Sequence, residues 1–152
     1  MLIRKATPED IAIIRKLEHE SETAAHWGER EYSALFASEA PRRIVLVAAE
    51  EAGGQVLGFV IARCADDEWE IENVVVASSG RRRGLGSALV RSLLHQARRS
   101  GATSVLLEVR ESNAAARGLY EKIGFNQVGK RPSYYREPPE DALLLKISIS
   151  IP

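Results

Sequence analysis

The chain has 152 residues, 45% hydrophobic and 28% charged, the size and balance of one compact soluble domain (residues 1–152) rather than of a disordered or fibrous chain. Lys plus Arg and Asp plus Glu number 21 each, so no net field draws the protein to nucleic acid or membrane, and any basic site must be a local cluster. The single cysteine, Cys64, excludes an internal disulfide and a cysteine metal cage. No apolar run has the length of a signal peptide or a bilayer span, which makes the cytoplasm the expected location.

Residues 2–6 read as a short first strand. Thr7-Pro8-Glu9-Asp10 has the form of a helix start, with Thr7 as cap and Pro8 at the first helical position. Ile11, Ile14 and Leu17 supply that helix with an apolar face. A break at residues 21–28 precedes a second, shorter helix over 29–36, with Tyr32, Leu35 and Phe36 inward. Residues 43–49 and 56–62 are strands joined by Glu51-Ala52-Gly53-Gly54-Gln55, a hairpin. Cys64 follows the second of them and reads as a small buried hydrophobe. A third strand covers 69–77. Its end, Val74-Val75-Val76, is apolar on both faces and so predicts a central position.

The period then changes. Leu85, Leu89, Leu93 and Ala97 recur every four residues and predict an amphipathic helix, ended by Arg98-Arg99-Ser100-Gly101. Residues 104–109 form a strand. Ser112-Asn113 caps a helix carrying Ala116, Leu119, Tyr120 and Ile123 that stops at Gly124. Strands begin at residue 125 and at residue 141, with a loop holding Tyr134 and Tyr135 between them. In the order β α α β β β α β α β β, only the middle carries a strand-helix-strand crossover. That order predicts an α/β (α+β) architecture: a mixed, mostly antiparallel sheet, parallel only at the crossover, with helices on both faces.

Arg81-Arg82-Arg83-Gly84-Leu85-Gly86 falls where the central strand hands over to the amphipathic helix. A first helical turn has unpartnered N–H groups and a positive dipole end, which together attract an anion. Glycines allow close approach and arginines add forked donors. A solvated basic helix start is the plain alternative. The Walker pattern fails because no lysine follows the second glycine, and the Rossmann pattern fails because Leu89 stands where its third glycine belongs.

Arg81-x-x-Gly84-x-Gly86 in this position resembles the signature of the GCN5-related N-acetyltransferases (the GNAT superfamily), whose element order is the one above. Leu107-Glu108-Val109-Arg110-x-Ser112-Asn113, Leu119-Tyr120-x-x-x-Gly124-Phe125 and Arg131-x-x-Tyr134-Tyr135 with Glu140-Asp141-Ala142 resemble its ribosomal-protein-alanine acetyltransferase (RimI) branch. The resemblance implies acetyl-CoA as co-substrate. Its pyrophosphate would lie on the turn Arg81, Arg82, Arg83, Gly84, Leu85, Gly86 and Ser87, and its pantetheine arm along Val74, Val75 and Val76 with Asn113. It implies Glu108 as general base and Tyr120 as general acid, a groove wall at His26-Trp27, and a peptide clamp at Tyr134 and Tyr135. The acceptor it implies is a protein or peptide N-terminus, ribosomal proteins included, with no nucleic-acid, membrane or metal partner. A lysine or small amine as acceptor, and an acetyl-CoA-binding module without turnover, are the alternatives.

The chemistry is consistent with an α-amine. Its pKa is near ~7.7–8.0, against about 10.4 for lysine, so a carboxylate can deprotonate it at modest cost. Tyr120 lies seven residues past Asn113, two helical turns, so both project from one side of a helix. A bulge in the strand ending at Val76 would aim a backbone N–H at a developing oxyanion. Glu72 on that strand is the reserve base that the resemblance implies, since relatives sometimes place a base there. His19, His26 and His95 lack metal-ligand spacing, and His95 is expected in solvent.

Overall fold

A computed structural model describes residues 1–21, 27–36, 42–81, 83–136 and 138–149. Seven strands form one sheet: β1 (Leu2–Lys5), β2 (Arg43–Ala49), β3 (Val56–Ala65), β4 (Glu68–Val76), β5 (Ser104–Arg110), β6 (Asn126–Arg136) and β7 (Pro139–Ser148). Their order is β1-β2-β3-β4-β5-β7-β6, so β4 is central. The helices are α1 (Ile11–Glu20), α2 (Glu29–Ser33), α3 (Leu85–Arg99) and α4 (Ala114–Ile123). Among the described residues only the β4–β5 pair is parallel, joined through α3; the connection from β5 through α4 leads to β6, which β7 separates from β5.

The core divides by sheet face. On one side α3 buries Leu85, Leu89, Val90, Leu93 and Ala97 against Leu46, Val60, Val105 and Leu107. Each fully buried leucine there contributes about 1.5–3 kcal/mol of apolar transfer. On the other side Ile14 and Leu17 of α1, with Tyr32 and Leu35, pack on Val45, Val47, Phe59, Ile61 and Val75. Cys64 is only half-buried, at the margin of the first cluster, and burial raises its thiol pKa above the ordinary value.

Several expectations need correction. Residues 8–10 form a 3₁₀ turn before α1, with Asp10 Oδ2 accepting the Thr7 N–H at 2.8 Å. Helix α2 ends at Ser33, and Phe36, three residues beyond, turns outward to 37% exposure. Tyr134 and Tyr135 stand in β6 rather than in a loop. The strand absorbs Pro132 through an irregularity in its pairing between Arg131 and Tyr135, where Ser133 takes φ +52°.

Two local events in β4 shape the centre of the sheet. Ile61 pairs with Asn73 but Ala62 with Ile71, so Glu72 is the extra residue of a β-bulge. The bulge exchanges the faces: Trp69 and Ile71 pack on the α3 side, Val75 on the α1 side. The β4–β5 ladder then ends at Ile71↔Leu107, although β4 runs on to Val76 and β5 to Arg110. The two parallel strands part, and a gap opens between them.

Candidate active site

A groove of about 680 Å³ runs from this gap between α3 and α4. Val74, Val75, Val76, Ser78, Arg81, Gly86, Asn113, Ala115, Ala116, Leu119 and Tyr120 line it, with Glu20 and Ser21 from the end of α1. It therefore gathers expected residues from four separate stretches of sequence. Ser78, Glu20 and Ser21 were not foreseen. Ser78 lies two residues past the valine strand, and no sequence signal marks the end of α1 as a neighbour.

At the turn, Gly84 has φ +76° and ψ 15°, the left-handed conformation that a side chain disfavours. The first α-helical bond of α3 runs from Ala88 N–H to Gly84 C=O at 3.0 Å, which leaves the Leu85, Gly86 and Ser87 N–H groups ahead of the ladder. Gly86 is small for a second reason. A Cβ there would lie 3.1 Å from Leu119 Cδ1 of α4 and 3.7 Å from Val76 Cγ2, crowding the groove wall. Absent side chains at 84 and 86, free first-turn donors and the Arg81 cation suit a pyrophosphate.

The rest of the basic turn is less uniform than expected. Arg83 faces Glu50 at 3.6 Å and Ser87 accepts from Arg91 Nε at 3.2 Å, so neither side chain forms the groove wall. The Leu85 side chain is 2% exposed and belongs to the core, leaving only its backbone to meet a ligand. Arg82 lies outside the described residues, as does His26. Asn113 caps α4, its Oδ1 accepting the Ala116 N–H at 3.2 Å, and also borders the groove.

Tyr120 and Glu108 are not in one cavity. They approach the gap from opposite faces of the sheet. Tyr120 belongs to the α3-side cluster, its ring 5.6 Å from Phe125. Burial first, then the neighbouring Tyr135, push its hydroxyl pKa up to about 12, so it stays protonated throughout the physiological range. Glu108 sits between Leu107 and Val109 of that cluster and therefore projects to the other side. There its carboxylate lies 3.2 Å from Arg131 Nε. Tyr135 connects the two sides, since its own pKa is raised by burial first and then by Glu108.

The Glu108 side is a cluster of paired charges and aromatic rings. Arg131 lies 5.4 Å from the Tyr134 ring centroid and Arg110 lies 4.0 Å from that of Tyr135. The tyrosines meet edge to face at 5.2 Å. Glu70 lies nearby on β4, its pKa raised mainly by burial, with Glu72 and Glu108 adding to it. Trp27 packs on the α1-side cluster. The reserve base Glu72 is held by Arg43 through two contacts, 2.6 and 3.2 Å, both partners mostly shielded. Glu108 has one longer contact to an arginine, Arg131, that is 55% exposed, and a side-chain hydrogen bond with Tyr134. Of the two carboxylates, Glu108 is held less tightly by its arginine. Arg43 was not foreseen, because an isolated arginine in a strand carries no motif; Arg131 stood in the tyrosine motif, but its contact with Glu108 was not foreseen.

The model of the acetyltransferase (GNAT) family matches residues 11–125, most of the chain. The chain is 38% identical over 100 residues to the [ribosomal protein bS18]-alanine N-acetyltransferase of Escherichia coli (strain K12), covering 64% of this chain and 68% of that protein. It is 36% identical over 120 residues to the Haemophilus influenzae enzyme of the same name, covering 79% and 80%. The crystal structure of the ribosomal-protein-S18-alanine N-acetyltransferase from Escherichia coli superposes with a TM-score of 0.87 at 29% identity, over 99% of this chain and 95% of that one. A parted central strand pair, a glycine turn opening α3 and a groove between α3 and α4 thus occur in a chain that matches the family model across both. The protein belongs to the GNAT acetyltransferase family and is an acetyl-CoA-dependent N-acetyltransferase.

Proposed function

We propose that the acceptor is the α-amino group of a protein N-terminus, a ribosomal protein among the candidates, with Glu108 as base and Tyr120 as acid. The observation that carries this reading is the placement of the two groups on opposite faces of the β4–β5 gap. An acceptor amine reaching the gap from the Glu108 side meets a co-substrate lying in the Tyr120 groove, and the two do not compete for space. Relatives that act on a ribosomal-protein alanine support the choice of a peptide N-terminus.

Each residue has a defined task in this reading. Arg81 and the Leu85–Ser87 N–H groups hold the pyrophosphate. The edge of β4 left bare where the ladder stops pairs with the pantetheine amides, and Asn113 borders the same arm. Acetyl-CoA supplies the thioester whose carbonyl accepts the amine. Glu108 takes the ammonium proton, directly or through one water. The backbone N–H groups that follow the Glu72 bulge face the developing negative charge on the carbonyl oxygen. Tyr120 gives its proton to the departing sulfur, and burial keeps that proton in place until it is needed. Tyr134, Tyr135 and Trp27 border the acceptor side and hold the first peptide residues by ring contact.

The test is acetyl-CoA turnover on a panel of peptides with free N-termini, beside N-blocked lysine peptides and polyamines. Turnover confined to free N-termini is expected. Turnover confined to lysine peptides or polyamines would replace this reading.

A further inference from the structure

The proton transfers above make no use of the ion pair between Arg43 and Glu72. Arg43 on β2 reaches across β3 to β4, and its Nε and Nη2 meet the two Glu72 carboxylate oxygens at 2.6 and 3.2 Å. The side chains are 13% and 18% exposed. The Trp27 ring centroid lies 5.1 Å from the same guanidinium. Trp27 is anchored elsewhere as well: its backbone N–H donates to the buried Glu18 carboxylate at 2.6 Å, and its ring leans on Tyr32 at 5.9 Å. Indole, guanidinium and carboxylate thus run as a continuous stack from the segment before α2 down to β4.

The stack ends at a mechanically sensitive point. Glu72 is the bulge residue, and β4 leaves β5 just before it. A force on the Glu72 side chain is therefore a force on the rim of the gap. The stack also occupies both Glu72 oxygens, which would otherwise offer an arriving ammonium a second carboxylate beside Glu108.

We propose that Arg43 is a positioning residue for the acceptor: by binding Glu72 and Trp27 together it fixes the acceptor wall relative to the gap and keeps Glu72 from competing with Glu108 for the amine. This rests on the reading of Trp27 as a peptide contact. Arginine alone meets both demands. Its planar fork engages a carboxylate in the plane while its face takes an aromatic ring, whereas lysine presents a point charge that does neither.

The experiment measures kcat and KM separately for peptide and acetyl-CoA, using a free N-terminal peptide that the wild-type protein acetylates. Arg43→Gln should raise the peptide KM about tenfold or more, the scale for breaking a shielded charged contact, and leave the acetyl-CoA KM within about twofold. Arg43→Gln and Trp27→Ala should shift the preference for the first peptide residue in the same direction, and the double variant should be no worse than the worse single one. Arg43→Lys should remain impaired. Glu72→Gln, which preserves shape, serves as the second variant if Arg43→Gln does not fold, and should raise the peptide KM alone. An unchanged peptide KM in a folded variant overturns the proposal, as does an equal rise in both KM values or full rescue by lysine. A wild-type protein that acetylates no peptide N-terminus removes the acceptor reading and this one with it. Wild-type turnover with unaffected Arg43 variants removes this one alone.

Discussion

Tyr120→Phe removes one oxygen and leaves the ring. The ring is 8% exposed and packed edge to face on Phe125 at 5.6 Å, contacts that phenylalanine keeps. The fold should therefore hold, and the acetyl-CoA groove, which Tyr120 borders with Asn113 and Leu119, should keep its shape. The lost function is proton donation. Positioned acid–base groups contribute about 10²–10⁴ in rate, or roughly 2.7–5.5 kcal/mol of barrier at 1.36 kcal/mol per decade. A donor with its pKa pushed up to about 12 suits a leaving thiolate and is replaced poorly by water. Steady-state kinetics should show kcat down by about two decades or more, with the acetyl-CoA Kd by calorimetry within about twofold. Unchanged turnover would refute the acid role. A parallel loss of acetyl-CoA affinity would mean that the hydroxyl holds the co-substrate instead.

Three further outcomes are expected from other parts of the molecule. Glu108→Gln should slow turnover at neutral pH and recover in part above about pH 8, where the α-amine loses its own proton; a flat pH response would place the base elsewhere. Gly84→Glu should abolish acetyl-CoA binding, since it sets a carboxylate in the cradle and costs roughly 1–2 kcal/mol for a side chain at φ +76°; normal binding by the folded variant would refute the cradle. Asp10 is held below the usual carboxylate range chiefly by Arg4, with contacts of 2.8 and 3.0 Å. Its folded pKa is depressed, so its contribution is present above the ordinary value of 3.8 and lost as pH falls through the folded one. Asp10→Asn should cost about 1–3 kcal/mol at pH 7 and lose less on acidification than the wild type, measured by urea melts; wild-type stability at pH 7 would contradict it.

The parts of the fold legible in the sequence were those governed by local periodicity. Leu85, Leu89, Leu93 and Ala97 mark α3 because burial repeats every turn. The α3 connection implies the parallel β4–β5 pair because a hairpin cannot make it. What escaped depends on pairing between distant strands. The Glu72 bulge leaves burial alternating along β4 and changes only the face, so no residue pattern signals it. Pro132 and Ser133 carry turn chemistry, yet β6 continues through them because β7 supplies a partner on either side of the irregularity. At the site, the Gly84 turn and the Tyr120 helix were readable as motifs. The separation of Glu108 and Tyr120 by the sheet, and the arginines that hold each carboxylate, arise from register alone.

A peptide carrying both a free N-terminus and an internal lysine puts the central claim to the most direct test. After limited turnover with acetyl-CoA, fragment mass spectrometry locates the acetyl group. Acetyl on the α-amine, with the lysine untouched, is the predicted result. Acetyl on the lysine, with the N-terminus free, would contradict it.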